Sequence, residues 1–340
     1  MAQRLSCISL QINNWRSILL GLLVFLTMVI SSSACTPNAN TQTDMASSDT
    51  ECHIIQHAKG ETCVPNNPQR VIMLGGLDNA LSLGVKPIGS DGVDQYRFYL
   101  NNRVDGIEDV GGNEAPSIEK ILTLKPDLIL VEEYVTANYD ALSSIAPTVL
   151  ISFEHSGEWK DVFMHHAEAL GKTAEAEQVM DNYYARLEEF HKQMGNRAAE
   201  TEVSIVRVYP THVNLYLKDS FCGTVVADAG LSRPPAQDLT ASEAKTLLGS
   251  SIQHTISREK IQDADGDVIF LWTYDSQDEI AQQTQAEKAK LKADPLWSRL
   301  TAVQQDRVYE VPGYWIGNGP IAADAIIDDL FKYLVETPQL

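Results

Sequence analysis

From residue 70 onward the chain alternates short, wholly apolar runs with stretches of helical periodicity. Arg70-Val71-Ile72-Met73-Leu74 reads as a buried strand that ends at Gly75-Gly76, and Asp78 to Leu83 as a helix closed by Gly84. Lys86 to Ser90 forms a further short strand and turn, and Thr148-Val149-Leu150-Ile151 another strand. Trp159 to Leu170 predicts a helix stopped by Gly171. Thr173 to about Met194 predicts a longer one, with Ala176, Val179, Met180, Tyr183, Leu187 and Phe190 at helical spacing. At ~1.5 Å per residue that helix is roughly 33 Å long, enough to run the length of a small domain. Val203 to Val208 opens a second series of strands that includes Val268 to Trp272 and Arg307 to Val311, and Ala322 to Val335 predicts a closing helix. Strands that alternate with helices assemble most simply into parallel α/β lobes.

One helix-then-strand unit occurs twice. Ser117-Ile118-Glu119-Lys120-Ile121 through Leu130 aligns without a gap on Ser257-Arg258-Glu259-Lys260-Ile261 through Phe270, and in both an Asp precedes the strand. Helix-loop-strand units resemble one another in any α/β protein, so the pair alone does not decide. Together with the long helix standing between the copies, it predicts two similar lobes and a cleft between them, where small ligands bind.

Residues 1–34 read as an export signal, with Arg4 and Arg16 ahead of the apolar run Ile18 to Ile30 and the small residues Ser31 to Ala34 after it. No later run is long enough for a membrane span. The net charge of −20 becomes two units more negative once Arg4 and Arg16 are removed, which excludes a nucleic-acid role. Cys52 and Cys63 bracket a hairpin with its turn near Ala58 to Gly60, which sets them opposite each other at disulfide separation. Cys222, in an apolar context, reads as a small core residue.

Nucleotide and hydrolytic chemistry find little support. Leu74-Gly75-Gly76-Leu77 lacks the third glycine and the ribose-binding acid of a dinucleotide site, Gly317-Asn318-Gly319 lacks the Lys-Ser/Thr of a P-loop, and no Gly-x-Ser-x-Gly is present. His165-His166 reads as helix surface, and the histidines do not cluster at zinc spacing. The loops that follow the strands carry aromatic and cationic groups instead: Tyr96, Arg97, Tyr134, Arg207, Tyr209, Trp272, Tyr274, Tyr314 and Trp315. Aromatic walls with one or two arginines suit a bulky anionic ligand.

Two resemblances add to this reading. Ala34-Cys35 followed by the polar stretch Thr36 to Thr50 resembles the bacterial lipoprotein pattern, with Ser32 where that pattern carries Leu, and implies lipidation at Cys35. The run from Val110-Gly111 to Pro116-Ser117-Ile118-Glu119 resembles the iron-siderophore substrate-binding proteins of bacterial ABC importers. So do Leu124-Lys125-Pro126-Asp127, Ile145-Ala146-Pro147-Thr148, Asp294-Pro295-Leu296-Trp297, Asp306-Arg307-Val308-Tyr309 and the Trp315 segment. The resemblance implies an α/β fold of two parallel-sheet lobes bridged by one long rigid helix, of the class III periplasmic binding type. The expected layout is a signal peptide over 1–34, a tether over 35–51, lobes over 52–155 and 199–340, and connecting helices over 156–198.

It further implies a non-enzymatic, monomeric protein without a cofactor, lipid-anchored in the periplasm or on the outer face of the cytoplasmic membrane. Its ligand is a ferric siderophore that carries Fe3+ as a chelate, and its partner is an ABC permease that docks on Glu119 and Glu259. Arg207 and the Trp315 loop fit the siderophore branch. Some hydroxamate binders place an arginine where Gly112-Asn113-Glu114 stands here, so the siderophore class stays open. Cobalamin or haem on the same scaffold, or an anchored ligand sensor, are the alternatives.

Overall fold

The computed structural model describes residues 52–112, 115–273 and 278–336. The expectations for the signal, the tether, Cys35 and Tyr274 lie outside the described residues. Strands β1 (Cys52–His57) and β2 (Gly60–Pro65) form the hairpin. Its two-residue turn sets Cys52 against Pro65 and Ile54 against Cys63, so the cysteines are diagonal neighbours and not directly opposite. At a Cα separation of 5.5 Å they are joined as a disulfide. Ile55 and Val64 anchor the hairpin in the core.

The first lobe continues through β3 (Val71–Leu74), α1 (Leu77–Ser82), β4 (Gly89–Ser90), α2 (Val93–Leu100), β5 (Glu108–Asp109) and a small pair, β6 (Gly111–Gly112) and β7 (Ala115–Pro116). After these come α3 (Ile118–Leu124), β8 (Leu128–Glu132), α4 (Tyr139–Ser143) and β9 (Thr148–Ile151). The strands align in the order β5-β4-β3-β8-β9, all parallel. Helices α5 (Trp159–Ala169), α6 (Thr173–Met194) and α7 (Arg197–Glu200) then lead to the second lobe. It comprises β10 (Val203–Val208), β11 (Val213–Tyr216), α8 (Phe221–Asp228), α9 (Ala241–Leu248), β12 (Gln253–Ile256), a 3-10 helix (Arg258–Ala264) and β13 (Val268–Trp272). The lobe continues through α10 (Asp278–Lys292), α11 (Thr301–Gln304), β14 (Val308–Val311) and α12 (Pro320–Leu330), and α12 runs on into a π-helical segment, Phe331–Glu336.

The second sheet, ordered β12-β11-β10-β13-β14, is parallel only from β10 to β14. The turn between β10 and β11, closed by Tyr209 N–H donating to His212 O, is far too short for a crossover, so β11 and β12 run antiparallel.

The repeated unit performs the same task in both lobes. Leu128 pairs with Val71 at the start of β3, and its counterpart Val268 pairs with Val203 at the start of β10. In the first copy the Asp127 carboxylate accepts the amides of Gln69 and Arg70 at 2.8 Å. In the second, Asp267 accepts the amide of Glu202, also at 2.8 Å. The repeated Asp thus clips the lobe's first strand to its neighbour. The helices of the two copies differ: Ser117 Oγ caps α3 by accepting Lys120 N–H, whereas Ser257 makes no such bond and the second copy winds as a 3-10 helix.

One apolar core runs through both lobes. Val71, Met73, Leu128 and Leu130 of the first sheet share it with Val203, Ile205 and Phe270 of the second, and α6 contributes Ala176, Met180, Tyr183, Leu187, Phe190 and Met194. The alternate residues of each sheet face separate clusters, such as Ile72, Leu74 and Ile129 against Ile121 of α3, so both faces of the parallel strands are covered. The lobes are also joined by a buried carboxylate. Asp78 in the first turn of α1 accepts the amides of Ile321 and Ala322 at 2.9 and 3.0 Å, where α12 begins on Gly319 with no cap of its own. A residue of the first lobe caps a helix of the second. No helix among the described residues is long and apolar enough to cross a membrane.

Candidate functional site

Residues 203, 205 and 207 of β10 share one face by strand alternation. The first two enter the core, and the third, Arg207, stands at the carboxyl end of the sheet, beside Trp272 in the parallel register. Its guanidinium lies 4.1 Å from the ring centroid of Tyr209 and 4.6 Å from that of Trp272. Its Nη1 donates to the Tyr216 hydroxyl at 3.1 Å. Burial pushes the Tyr216 phenol upward and keeps it neutral. Tyr216 and Trp272 contact each other at 5.3 Å. A cation is therefore held among three rings at a strand end, the place where α/β lobes bind ligands. Of the expected residues, Arg207, Tyr209 and Trp272 come together; Tyr216, on a strand that the apolar pattern did not reveal, was missed.

The first lobe contributes a tyrosine group. Tyr96 meets Tyr99 edge-on at 6.3 Å, and Tyr99 reaches Tyr314 of the second lobe at 6.4 Å. Tyr134 keeps 40 % of its surface exposed while its hydroxyl bonds the buried Glu132. Two expected residues are corrected. Trp315 is fully buried: its 3-10 turn tips the indole inward, where it stacks on Phe270 at 4.5 Å and donates from Nε1 to Asp329 at 2.9 Å. Arg97 lies on the exposed face of α2 with its charge committed to Asp94 and Asp105 at 3.3 and 2.6 Å. Tyr314 is half-buried and donates to the same Asp329 at 2.8 Å.

Beneath Tyr134 lies a polar cluster that places His166 otherwise than expected. His165 is exposed, but His166 falls on the buried stripe of α5 with Trp159, Val162 and Phe163. Its Nδ1 is 2.9 Å from Val162 O, and its Nε2 is 3.9 Å from Glu132 Oε1. Burial pushes His166 down to about 4, Glu132 up to about 8, and Asp91 up to about 6. At neutral pH the pair is thus a neutral imidazole beside a protonated acid, not a salt bridge. Asn79 Oδ1, Asp91 Oδ2, Glu132 Oε1 and His166 Nε2 are buried without hydrogen-bond partners. All four are acceptors, and a proton on Glu132 supplies a donor.

Gly75 and Gly76 thread this cluster with φ of 95° and 66°. A Cβ on Gly75 would stand 2.5 Å from the Tyr134 hydroxyl, and one on Gly76 2.7 Å from the His166 ring. The glycine pair that failed as a nucleotide motif serves close packing. No group of three or more His, Cys, Asp or Glu among the described residues is arranged to hold a metal ion.

A 350 Å³ hollow at the opposite, amino end of the second sheet is lined by Glu202, Asp263, Asp265 and Asp267, a field that repels an anionic ligand. Glu119 and Glu259 are both exposed in the first turns of their helices.

The chain is 32 % identical over 325 residues to the probable siderophore-binding lipoprotein YfiY of Bacillus subtilis (strain 168), covering 93 % of this chain and 98 % of that protein. It is 30 % identical over 280 residues to the achromobactin-binding periplasmic protein of Dickeya dadantii (strain 3937), covering 78 % and 86 %. Among solved structures, Staphylococcus aureus SirA complexed with staphyloferrin B superposes with a TM-score of 0.72 at 30 % identity, covering 83 % of this chain and 98 % of that one. The family model described as periplasmic binding protein matches residues 76–314, and with a match over more than half its length the chain belongs to that family.

Proposed function

We propose that this protein is an extracytoplasmic substrate-binding lipoprotein that captures a ferric siderophore and delivers it to an ABC permease. The observation that carries the reading is Arg207, a cation held among Tyr209, Tyr216 and Trp272 at the carboxyl ends of β10 and β13 in a strongly acidic chain. An anionic chelate is attracted to that guanidinium, and the surrounding rings offer contact area at low entropic cost. Tyr96, Tyr134 and Tyr314 supply the facing aromatic rim, and the iron arrives as cargo within the chelate.

Glu119 and Glu259 serve as the docking acids toward the permease. Cys35 carries the lipid after removal of residues 1–34, and residues 35–51 act as the tether. The lobes are 52–155 and 199–340, with connecting helices over 156–198.

Tryptophan fluorescence titration tests this. The panel comprises ferric staphyloferrin B and ferric achromobactin, placed first because relatives carry those names, then ferric citrate, a ferric hydroxamate, cobalamin and haem. Saturable quenching by a ferric siderophore, and loss of its uptake in cells lacking the protein, is the expected result. Binding of cobalamin or haem alone, or of none of the panel, overturns the reading.

A further inference from the structure

Tyr134, Glu132 and His166 meet end to end. Glu132 closes β8 at the carboxyl end of the first sheet and is buried, with one carboxylate oxygen toward each neighbour. A Cβ on Gly75 would lie 2.5 Å from the Tyr134 hydroxyl and 2.7 Å from Glu132 Oε2. One on Gly76 would lie 2.7 Å from His166 Nε2 and 3.0 Å from Glu132 Oε1. Oε2 is thus on the tyrosine side and accepts the phenol hydrogen bond, while Oε1, on the histidine side, has no partner.

The hydrogens in this row follow by elimination. His166 Nδ1 lies 2.9 Å from Val162 O, and a carbonyl only accepts, so Nδ1 carries the ring hydrogen. The Asn79 amide nitrogen also stands 3.2 Å from Nδ1, a longer contact that the bond to Val162 outweighs. Nε2 is then a lone pair, 3.9 Å from Glu132 Oε1. Two buried lone pairs that face each other are costly unless a proton lies between them. The other groups around Glu132 do not supply one: Asp91 Oδ2 and Asn79 Oδ1 are themselves buried acceptors, and Asp109 stands behind Asp91. Glu132 therefore carries the proton, and the row runs from Tyr134 O–H to Oε2, from Oε1–H to Nε2 and from Nδ1–H to Val162 O. With its hydroxyl in the slot that Gly75 leaves, Tyr134 keeps its exposed surface on the ring, near Tyr96.

We propose that Tyr134 is a fixed aromatic platform in the cargo cleft, and that Glu132, through the proton it shares with His166, is the residue that positions it. The proposal rests on the siderophore reading and deepens it. A ring whose hydroxyl is turned inward offers its π face outward, and that face suits the carbon framework or aromatic groups of a chelator. The anionic oxygens are left to Arg207. Because the row ends on the main chain of α5, the platform is braced by a helix and does not depend on the rim alone.

The test begins with the cargo-free mature chain carrying nitrogen-15 in its histidines, the His166 signals being those lost in His166→Gln. At pH 7 the ring should be neutral, protonated on Nδ1 and hydrogen-bonded at Nε2. Glu132→Leu should move the Nε2 signal to that of an unbonded nitrogen, and Glu132→Gln should return it. Cargo affinity is then read by tryptophan fluorescence with ferric staphyloferrin B, or with the panel siderophore that binds in its place. Tyr134→Phe, which keeps the ring and loses the bond, and Glu132→Leu should each weaken binding by about threefold or more, and the double variant by no more than the larger of the two. Glu132→Gln, which keeps both bonds, should restore what Glu132→Leu loses. A His166 that is cationic or protonated on Nε2 at pH 7 overturns the shared proton. Unchanged affinity in Tyr134→Phe, or additive losses in the double variant, overturn the positioning role. If Glu132→Leu does not fold, Tyr134→Phe and Glu132→Gln decide it, a Gln variant as weak as Tyr134→Phe counting against. Failure of every siderophore to bind would instead strike the functional reading, while the His166 signals would still decide the proton.

Discussion

Glu132 is a buried acid without a cationic partner, and replacing it by Gln isolates its effect on stability. Burial raises its carboxyl from an ordinary 4.5 to about 8, with the charge on Asp91 adding to the shift. Between those values the folded chain keeps a proton that the unfolded chain has released. The stabilisation from that proton is complete below pH 4.5 and is lost as pH rises through 8. Each pH unit in that window is worth about 1.4 kcal/mol, so from pH 5 to pH 7 the group removes on the order of 3 kcal/mol. Gln has the shape of the protonated acid and an N–H2 that can donate to Asp91 or His166, and it does not titrate. Glu132→Gln should therefore match the wild type near pH 5 and become progressively more stable toward pH 8. Asp91, raised to about 6, acts in the same sense, whereas His166, lowered to about 4, loses stability as pH falls from 6.5 through 4. Both remain in the variant and cancel in the comparison. Urea unfolding followed by tryptophan emission at four or so pH values measures the difference. Parallel curves for the two proteins, or a Gln variant weaker at pH 8, would refute a protonated Glu132.

Arg207→Ala should weaken ferric-siderophore binding by ~1.5 to 3 kcal/mol, the range for a hydrogen bond to a charged group, as read by fluorescence titration. Replacing Cys52 and Cys63 with Ser opens a loop of sequence separation 11 and should cost on the order of 2 to 3 kcal/mol in urea unfolding, with the cargo affinity retained. Glu119→Ala with Glu259→Ala should leave cargo affinity intact while uptake in cells collapses; normal uptake at wild-type protein level would show both acids to be structural. Mass spectrometry of the membrane fraction should find a diacylated Cys35 peptide, and an unmodified soluble chain would reject the anchor.

Much of the scaffold was legible because its signals are local. The bounds of α6 follow from Gly171 before it and Gly195 after it, and its buried residues recur at steps of three and four. The 14-residue repeat marked β8 and β13, and the structure pairs them at equivalent positions with β3 and β10. What stayed hidden depends on partners distant in sequence. Whether an aromatic after a strand lines a cleft or fills the core cannot be read from its position: Trp315 goes inward because Asp329 and Phe270 receive it. Arg97 and Arg207 look alike in the sequence, yet one meets two carboxylates on an exposed helix face and the other three rings. His166 carried a usable signal, since it stands seven residues after Trp159 on the apolar stripe of α5, whereas His165 does not.

The junction between the lobes bears on how far one can move against the other. A single core crosses from one sheet to the other through α6, and Asp78 binds the first amides of α12 across the junction. Swinging one lobe away from the other would strip the buried Ala322 amide of its acceptor, at ~1 to 3 kcal/mol, free the part-buried Ile321 amide as well, and expose apolar surface at ~25 cal/mol per Å². Large hinge closure on cargo is therefore opposed by the architecture.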